Sequence, residues 1–161
     1  PHAGVGRLLE ALGALYREHP ALWRRDHEPQ GFQWIEVADK RRSVIAYQRG
    51  DGDDHVVVVV NFQPTPHDAY RVGVPASGAY RCALSTDDAR FGGSGWPVPE
   101  RLLAEEVPYH GHERSVVLPV PPLGAVVLVP ERAAGPADAR RADADAADAD
   151  PAARAVPDAP A

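Results

Sequence analysis

The sequence predicts a mainly β fold: an antiparallel β-sandwich preceded by one helix and followed by a disordered tail. From Phe32 onward, apolar and polar residues alternate with a period of two, which is the period of strands that bury one face. Clusters of turn residues separate the alternating segments at short intervals, as is typical of antiparallel sandwiches. No helical pattern lies between any two of these segments, which excludes a parallel α/β sheet.

The helix is predicted over residues 4–18, where apolar residues recur at spacings of three and four. This apolar stripe consists of Val5, Leu8, Leu9, Leu12, Leu15 and Tyr16. Pro20 ends the helix, because a residue that precedes proline is disfavoured in the α conformation. A single amphipathic helix needs a surface that covers its stripe. The β region that follows and a preceding domain absent from this chain are the two alternatives.

Seven strands are predicted, at residues 32–38, 43–49, 55–62, 69–74, 79–85, 115–120 and 124–129. The run Val56–Val60 is apolar at every position, so we expect its strand to be central and buried on both faces. Residues 86–114 contain no convincing strand. Connections of that length are usually functional or mobile.

Composition separates the tail from the rest of the chain and argues against several partners. Residues 131–161 are rich in Ala, Asp and Pro and contain no aromatic residue, so we expect disorder.

A net charge of -6 without a Lys/Arg cluster argues against nucleic acid and anionic membranes as partners. No apolar run approaches the roughly 20 residues of a membrane span. The single cysteine, Cys82, suits a reducing compartment, and we expect a cytoplasmic protein.

No arrangement typical of a catalytic or metal centre is evident in the sequence. His110 and His112 have a spacing that some metal sites use, but no third ligand accompanies them, which favours two exposed loop histidines. The segment Gly92–Trp96 lacks the last glycine of a nucleophile elbow. Cys82 lies on the apolar face of its predicted strand and is expected to be a buried hydrophobe. We therefore predict no catalytic residue, no metal and no cofactor.

Several segments occur together in an order that is typical of one family. They are His2–Leu22, Glu28–Arg49, Val56–Pro75, Ser85–Gly95 and the segment that begins Val120-Pro121-Pro122. The most specific parts are Asn61-Phe62 with YRVGVP at Tyr70–Pro75, and FGGSG at Phe91–Gly95. With these motifs, residues 2–130 strongly resemble the C-terminal end of bacterial 1,4-α-glucan (glycogen) branching enzymes of the α-amylase superfamily.

The resemblance implies both a domain organisation and a reaction. Residues 1–25 would be the last helix of a truncated (β/α)8 barrel, and residues 28–130 an amylase-type C-terminal sandwich. The family cleaves an α-1,4 link and transfers the chain to a 6-hydroxyl, forming an α-1,6 branch. This retaining reaction uses an Asp nucleophile and a Glu acid/base about 5 Å apart, at the C-terminal ends of barrel strands. Those strands would precede Pro1, so the catalytic carboxylates are absent and the piece alone is predicted to be inactive.

Two other functions remain open at the level of the sequence. One is a free-standing α-glucan-binding module, and the other is the C-terminal domain of a different α-amylase-superfamily enzyme, such as a maltosyltransferase. Residues 1–25 discriminate against a free module, because such a module has no use for a lone barrel helix. The chain starts at Pro1 and contains no methionine, so we expect a piece of a longer protein.

The implied partners are α-glucan and the missing catalytic barrel. Trp34 and Trp96 are the candidate glucan-binding residues, because the C–H-rich face of a sugar stacks on flat aromatic rings. For Trp34 the alternative is packing in the core, since it shares one strand face with Phe32. Trp96 lies in the long loop, where exposure is expected.

Overall fold

The computed structural model describes residues 2–131, so the predicted tail, apart from Glu131, lies outside the described residues. The helix α1 spans Ala3–Glu18, and three short 3₁₀ turns span Pro20–Leu22, Pro29–Gly31 and Ala89–Phe91. The strands are β1 (Phe32–Asp39), β2 (Val44–Asp51), β3 (Asp54–Asn61), β4 (His67–Val74), β5 (Ala79–Ser85), β6 (Arg101–Leu103), β7 (Arg114–Val120) and β8 (Ala125–Pro130). All seven predicted strands are present, within two residues of the predicted bounds.

The strands form two antiparallel sheets that pack as a sandwich. The larger sheet has the order β1-β2-β3-β8-β5-β6, and the smaller one pairs β4 with β7. Side chains from both sheets meet in one buried cluster, to which Val57 and Val59 contribute from β3 and Val72 and Leu118 from the smaller sheet. The predicted antiparallel β-sandwich is confirmed.

The valine strand β3 lies in the middle of the larger sheet, between β2 and β8. Alternate valines point to opposite faces, so Val57 and Val59 enter the core between the sheets. Val56 and Val58 enter a second core on the outer face. The prediction of a central strand buried on both faces is confirmed.

The helix α1 covers part of this outer face and forms a third layer on the larger sheet. Leu15 is 8% exposed and packs with Phe91 and with valines of β3 and β8. Near its N-terminus, Gly4 lies against the backbone carbonyl of Phe91, where a Cβ atom would clash. A glycine is therefore required at this contact. Among the described residues, no helix has the length and hydropathy needed to cross a membrane.

The apolar stripe of α1 divides into two adjacent faces. Leu8, Ala11 and Leu15 pack on the larger sheet. The other face is exposed and consists of Val5, Leu9, Leu12 and Tyr16, of which Leu9 is 65% exposed. Trp23, which is also exposed, lines a shallow depression with Tyr16 and so extends this second face. The following β region thus covers only part of the stripe, and we call the exposed part the α1 outer face.

The long connection 86–114 is more ordered than the sequence indicates. It contains the short edge strand β6, which pairs with the start of β5, and the 3₁₀ turn Ala89–Phe91. Phe91 is buried in the second core. The expectation that no strand occurs here is wrong, because a three-residue strand is too short to produce a readable alternation.

Candidate functional site

Trp34 lies on β1, the edge strand of the larger sheet, and is 52% exposed. Its neighbour Ile35 points into the core between the sheets, so Trp34 points outward. The alternative that Trp34 is a core residue is therefore wrong. Phe32 shares the outer face, as the alternation predicts, and its ring centroid lies 4.9 Å from that of Trp34.

Tyr47 completes an aromatic platform with these two residues. It is the direct partner of Trp34 across the β1–β2 pair, and its ring stacks on Phe32 with 5.5 Å between centroids. The Trp34 and Tyr47 rings meet edge-on at 6.0 Å. Burial raises the pKa of the Tyr47 hydroxyl, so this group is a neutral hydrogen-bond donor at pH 7. Half-exposed rings that fix one another in this way are suited to stacking on a ligand.

Arg49 holds the backbone beside the platform. This residue is opposite Phe32 in the β1–β2 pair. Its guanidinium donates to the backbone carbonyls of Leu22 at 3.0 Å and Gly31 at 3.1 Å, and it pairs with the carboxylate of Asp26. The segment that leads into β1 is therefore tied to β2, and the position of the platform is fixed.

Trp96 lies elsewhere, in the loop that follows β5. Its backbone N–H donates to the Asp87 carboxylate at 3.0 Å, which also accepts hydrogen bonds from Ser94 N at 2.8 Å and Ser94 Oγ at 2.6 Å. Partial burial raises the pKa of Asp87, but these hydrogen bonds outweigh it and leave the pKa below its ordinary value. An ionised Asp87 thus holds the loop, and Trp96 is half-buried rather than exposed.

A cleft of about 510 Å3 opens beside Trp96. Its lining includes Trp96, Cys82, Ser85, Asp88, Arg90 and Glu100. The cleft lies against β5, which is four strands from β1 in the larger sheet. At about 4.8 Å per strand spacing, the two tryptophans are roughly 20 Å apart. They belong to two separate surfaces.

The two loop histidines and the cysteine considered in the sequence analysis are all partly or mostly buried. His110 is mostly buried and pairs with Glu36 at 3.1 Å, so the expectation of an exposed histidine is wrong. Burial lowers the pKa of both His110 and His112 and raises that of the Cys82 thiol, which is unfavourable for a thiolate nucleophile. No group of three or more His, Cys, Asp or Glu side chains within residues 2–131 is arranged to hold a metal ion.

Comparison with known proteins assigns the β-sandwich to a family. Residues 34–131 match the family described as the alpha amylase C-terminal all-beta domain, which is more than half of the chain. The chain belongs to this family. The match to the alpha amylase C-terminal all-beta domain begins at Trp34 within β1 and includes every later strand. Both candidate tryptophans lie within it, whereas α1 precedes it.

Two proteins similar to this chain in sequence are named 1,4-alpha-glucan branching enzyme. The chain is 50% identical over 129 residues to that of Rubrobacter xylanophilus, covering 79% of this chain and 18% of the relative. It is 50% identical over 128 residues to that of Burkholderia thailandensis, covering 78% and 15%. A solved alpha-amylase structure from H.orenii covers 73% of this chain with a TM-score of 0.44 and 16% identity. The two relatives confirm the resemblance, and the chain spans less than a fifth of their length.

Sequence reasoning missed the residues that support the two tryptophans. Tyr47 becomes a partner of Trp34 only through the β1–β2 register, which no local pattern determines. Asp87 acts over nine residues on the backbone of Trp96. The only signal for it was an aspartate shortly before a glycine-rich segment, where such side chains commonly accept backbone hydrogen bonds.

Proposed function

We propose that this chain forms the C-terminal part of a 1,4-α-glucan branching enzyme. Its main support is the 50% identity over 129 residues to the Rubrobacter xylanophilus relative. The complete enzyme cleaves an α-1,4 link of a glucan and transfers the released chain to a 6-hydroxyl, so that an α-1,6 branch forms. The enzyme works on glycogen in the cytoplasm, a reducing compartment that suits a single free cysteine.

Within that enzyme, residues 1–25 supply the last helix of the catalytic barrel and residues 28–130 the C-terminal sandwich. The α1 outer face supports this assignment, because it leaves Leu9 and three further apolar side chains in water. An apolar surface of that kind on a helix indicates a missing partner. The rest of the barrel is that partner, and the sandwich holds α1 from the other side through Leu15.

The aromatic platform gives the sandwich a second role, which is to hold glucan. Trp34 and Phe32 offer exposed ring surface, and Tyr47 adds a neutral hydroxyl beside them. A sugar stacks its C–H face on such rings and uses hydroxyls for hydrogen bonds. Even weak binding of a long polymer raises the local concentration of chain segments near the active site. Trp34 is the residue on which this role depends most.

A chimera tests the proposed function. The matching C-terminal residues of the Rubrobacter xylanophilus enzyme are replaced by residues 2–131, and new α-1,6 links in amylose are counted by enzymatic debranching. We expect the chimera to keep a large part of the parent's activity. As a control, the same chimera with Leu9→Gln and Leu12→Gln should lose activity or stability, because the α1 outer face then no longer fits the barrel.

A chimera that is folded, by circular dichroism and thermal melting, but makes no α-1,6 links would overturn the proposal. Under that outcome, binding of maltoheptaose by the chain itself would favour a glucan-binding module. Activity restored only by the barrel of another α-amylase-superfamily enzyme would instead assign the chain to that enzyme.

A further inference from the structure

We propose that the cleft beside Trp96 is a second carbohydrate site, which binds a short α-1,4-glucan segment independently of the aromatic platform. Its volume of about 510 Å3 lies within the range of about 300–1,000 Å3 that small-molecule sites occupy. The ligand class deepens the proposed function and rests on it, because a branching enzyme meets α-glucan as its polymer.

The loop is built to hold Trp96 in one place. Asp87 accepts three hydrogen bonds from Ser94 and Trp96, and its own backbone carbonyl accepts from Gly95 N at 2.8 Å. Gly93 packs so closely on the Asp87 backbone that a Cβ atom would clash. Within residues 2–131 the indole ring stacks on no other aromatic ring. Its position is thus fixed beside the cleft while its ring face has no aromatic partner.

The polar groups of the cleft favour a neutral ligand with many hydroxyls. Asp88 and Glu100 present carboxylates and Arg90 a guanidinium, so acceptors and donors are mixed. Arg90 Nε lies 3.3 Å from the Asp88 carboxylate, so these two charges offset each other, and the remaining carboxylate of Glu100 disfavours an anion. A sugar hydroxyl can both donate and accept, and charged partners strengthen its hydrogen bonds.

Ser85 adds an observation that points to a ligand. Its Oγ is buried beside the cleft and has no hydrogen-bond partner within the described residues. Buried hydroxyls nearly always have a partner, and leaving one unsatisfied costs about 1–3 kcal/mol. A hydroxyl of a bound glucan reaching the floor of the cleft would satisfy it, and Trp96 would stack on the same sugar unit.

The experiment uses the full chain, residues 1–161, and its three tryptophans, Trp23, Trp34 and Trp96. The variant W23F/W34F keeps only Trp96, so its fluorescence reports the cleft alone. We expect maltoheptaose in the millimolar range to change this emission saturably, and cellohexaose, a β-1,4-linked glucan of six units, to leave it unchanged. Modification of Cys82, which also lines the cleft, should slow severalfold with maltoheptaose present.

Isothermal titration of the single variants gives a second measurement. W96F should lose one class of maltoheptaose site and keep the other, whereas W34F should do the reverse. S85A should weaken binding in the cleft without lowering the melting temperature. An unchanged Trp96 emission together with an unchanged titration of W96F would overturn the proposal, and equal binding of cellohexaose would overturn the α-glucan assignment.

Failure of the cleft is distinguishable from failure of the proposed function. These measurements need no barrel, so an inactive chimera with a Trp96 site that binds maltoheptaose refutes the branching assignment alone. An active chimera whose cleft ignores maltoheptaose refutes the second site alone.

Discussion

Trp34 keeps about half of its surface in water on the edge strand β1, although large apolar side chains are usually buried. It is not a stray exposed residue, because Phe32 and Tyr47 fix its ring from two sides. An organised aromatic group at a sheet edge is more informative than a single exposed ring. It therefore supports the proposal that glucan binds on this surface.

Replacing Trp34 by alanine should weaken maltoheptaose binding while the free energy of unfolding falls by only about 1 kcal/mol, well below the roughly 3–5 kcal/mol of a buried aromatic. Titration calorimetry and chemical denaturation measure the two effects. Trp23→Ala is the matched control, since Trp23 is similarly exposed but lies outside the platform; it should leave binding unchanged. A large loss of stability with binding intact would end the role proposed for Trp34.

His55 is a buried histidine with both ring nitrogens hydrogen-bonded. Nδ1 lies 2.7 Å from the Gly52 carbonyl and Nε2 lies 2.9 Å from the Tyr80 hydroxyl, and burial raises the pKa of Tyr80 to about 12. Burial also lowers the pKa of His55, with the Gly52 carbonyl and nearby aspartates opposing the shift. The imidazole is therefore neutral in the folded protein at pH 7.

This predicts that the free energy of unfolding decreases on acidification. Below the ordinary histidine pKa of 6.5, the unfolded state binds the proton more readily than the folded state, so stability present above pH 6.5 is lost as the pH falls. Denaturant melts between pH 7 and pH 5 should show this slope, and His55→Gln should reduce it. His110 and His112 act in the same direction, so part of the slope should remain. An undiminished slope in His55→Gln, with the exposed His27→Gln as reference, would contradict the assignment.

The sequence predicts that Phe32 and Trp34 share a face, but it does not determine which face the protein covers. That depends on where α1 lies on the larger sheet, and this contact joins Gly4 to Phe91 across more than 80 residues. The burial of Phe91 has the same origin, because Phe91 packs in the second core with Leu15 of α1. Local periodicity shows which residues of one strand share a face. Contacts between distant parts of the chain depend on tertiary packing.

The helix α1 illustrates the same point for a whole element. Its periodic stripe is correctly predicted, yet the stripe contains two faces with different partners. Leu15 is 8% exposed and Leu9 is 65% exposed, although both belong to one apolar pattern. A periodic pattern shows that these side chains belong to one apolar stripe of the helix. Only the packing shows which of them contact other residues within 2–131.

These two faces should respond differently to substitution. Leu15→Ala should lower the free energy of unfolding by about 2–5 kcal/mol, because it leaves a cavity in the second core. Leu9→Gln should change it by less than about 0.5 kcal/mol, as surface substitutions usually do, and should reduce any self-association of the chain. Denaturant melts and sedimentation velocity measure both. Equal destabilisation by the two variants would mean that the α1 outer face is covered.

At the scale of the whole molecule, residues 2–131 contain no parallel barrel. The sheets are antiparallel, whereas the proposed reaction needs two carboxylates at the ends of parallel barrel strands. We therefore expect the purified chain to form no α-1,6 links in amylose. Debranching followed by chain-length analysis, with boiled chain as the control, provides the measurement. Reproducible branching above that control would refute the proposal that the barrel, and not the sandwich, carries out the reaction.

The central position of β3 has a consequence for synthesis on the ribosome. One edge of this valine strand is covered by β2, which precedes it, but the other edge pairs with β8 at residues 125–130. A nascent chain therefore carries an apolar strand with a free edge until about 70 further residues have emerged. Such strands are templates for aggregation. Substitutions that delay the closing of β8 onto β3 should thus reduce the yield of folded protein more than they reduce its final stability.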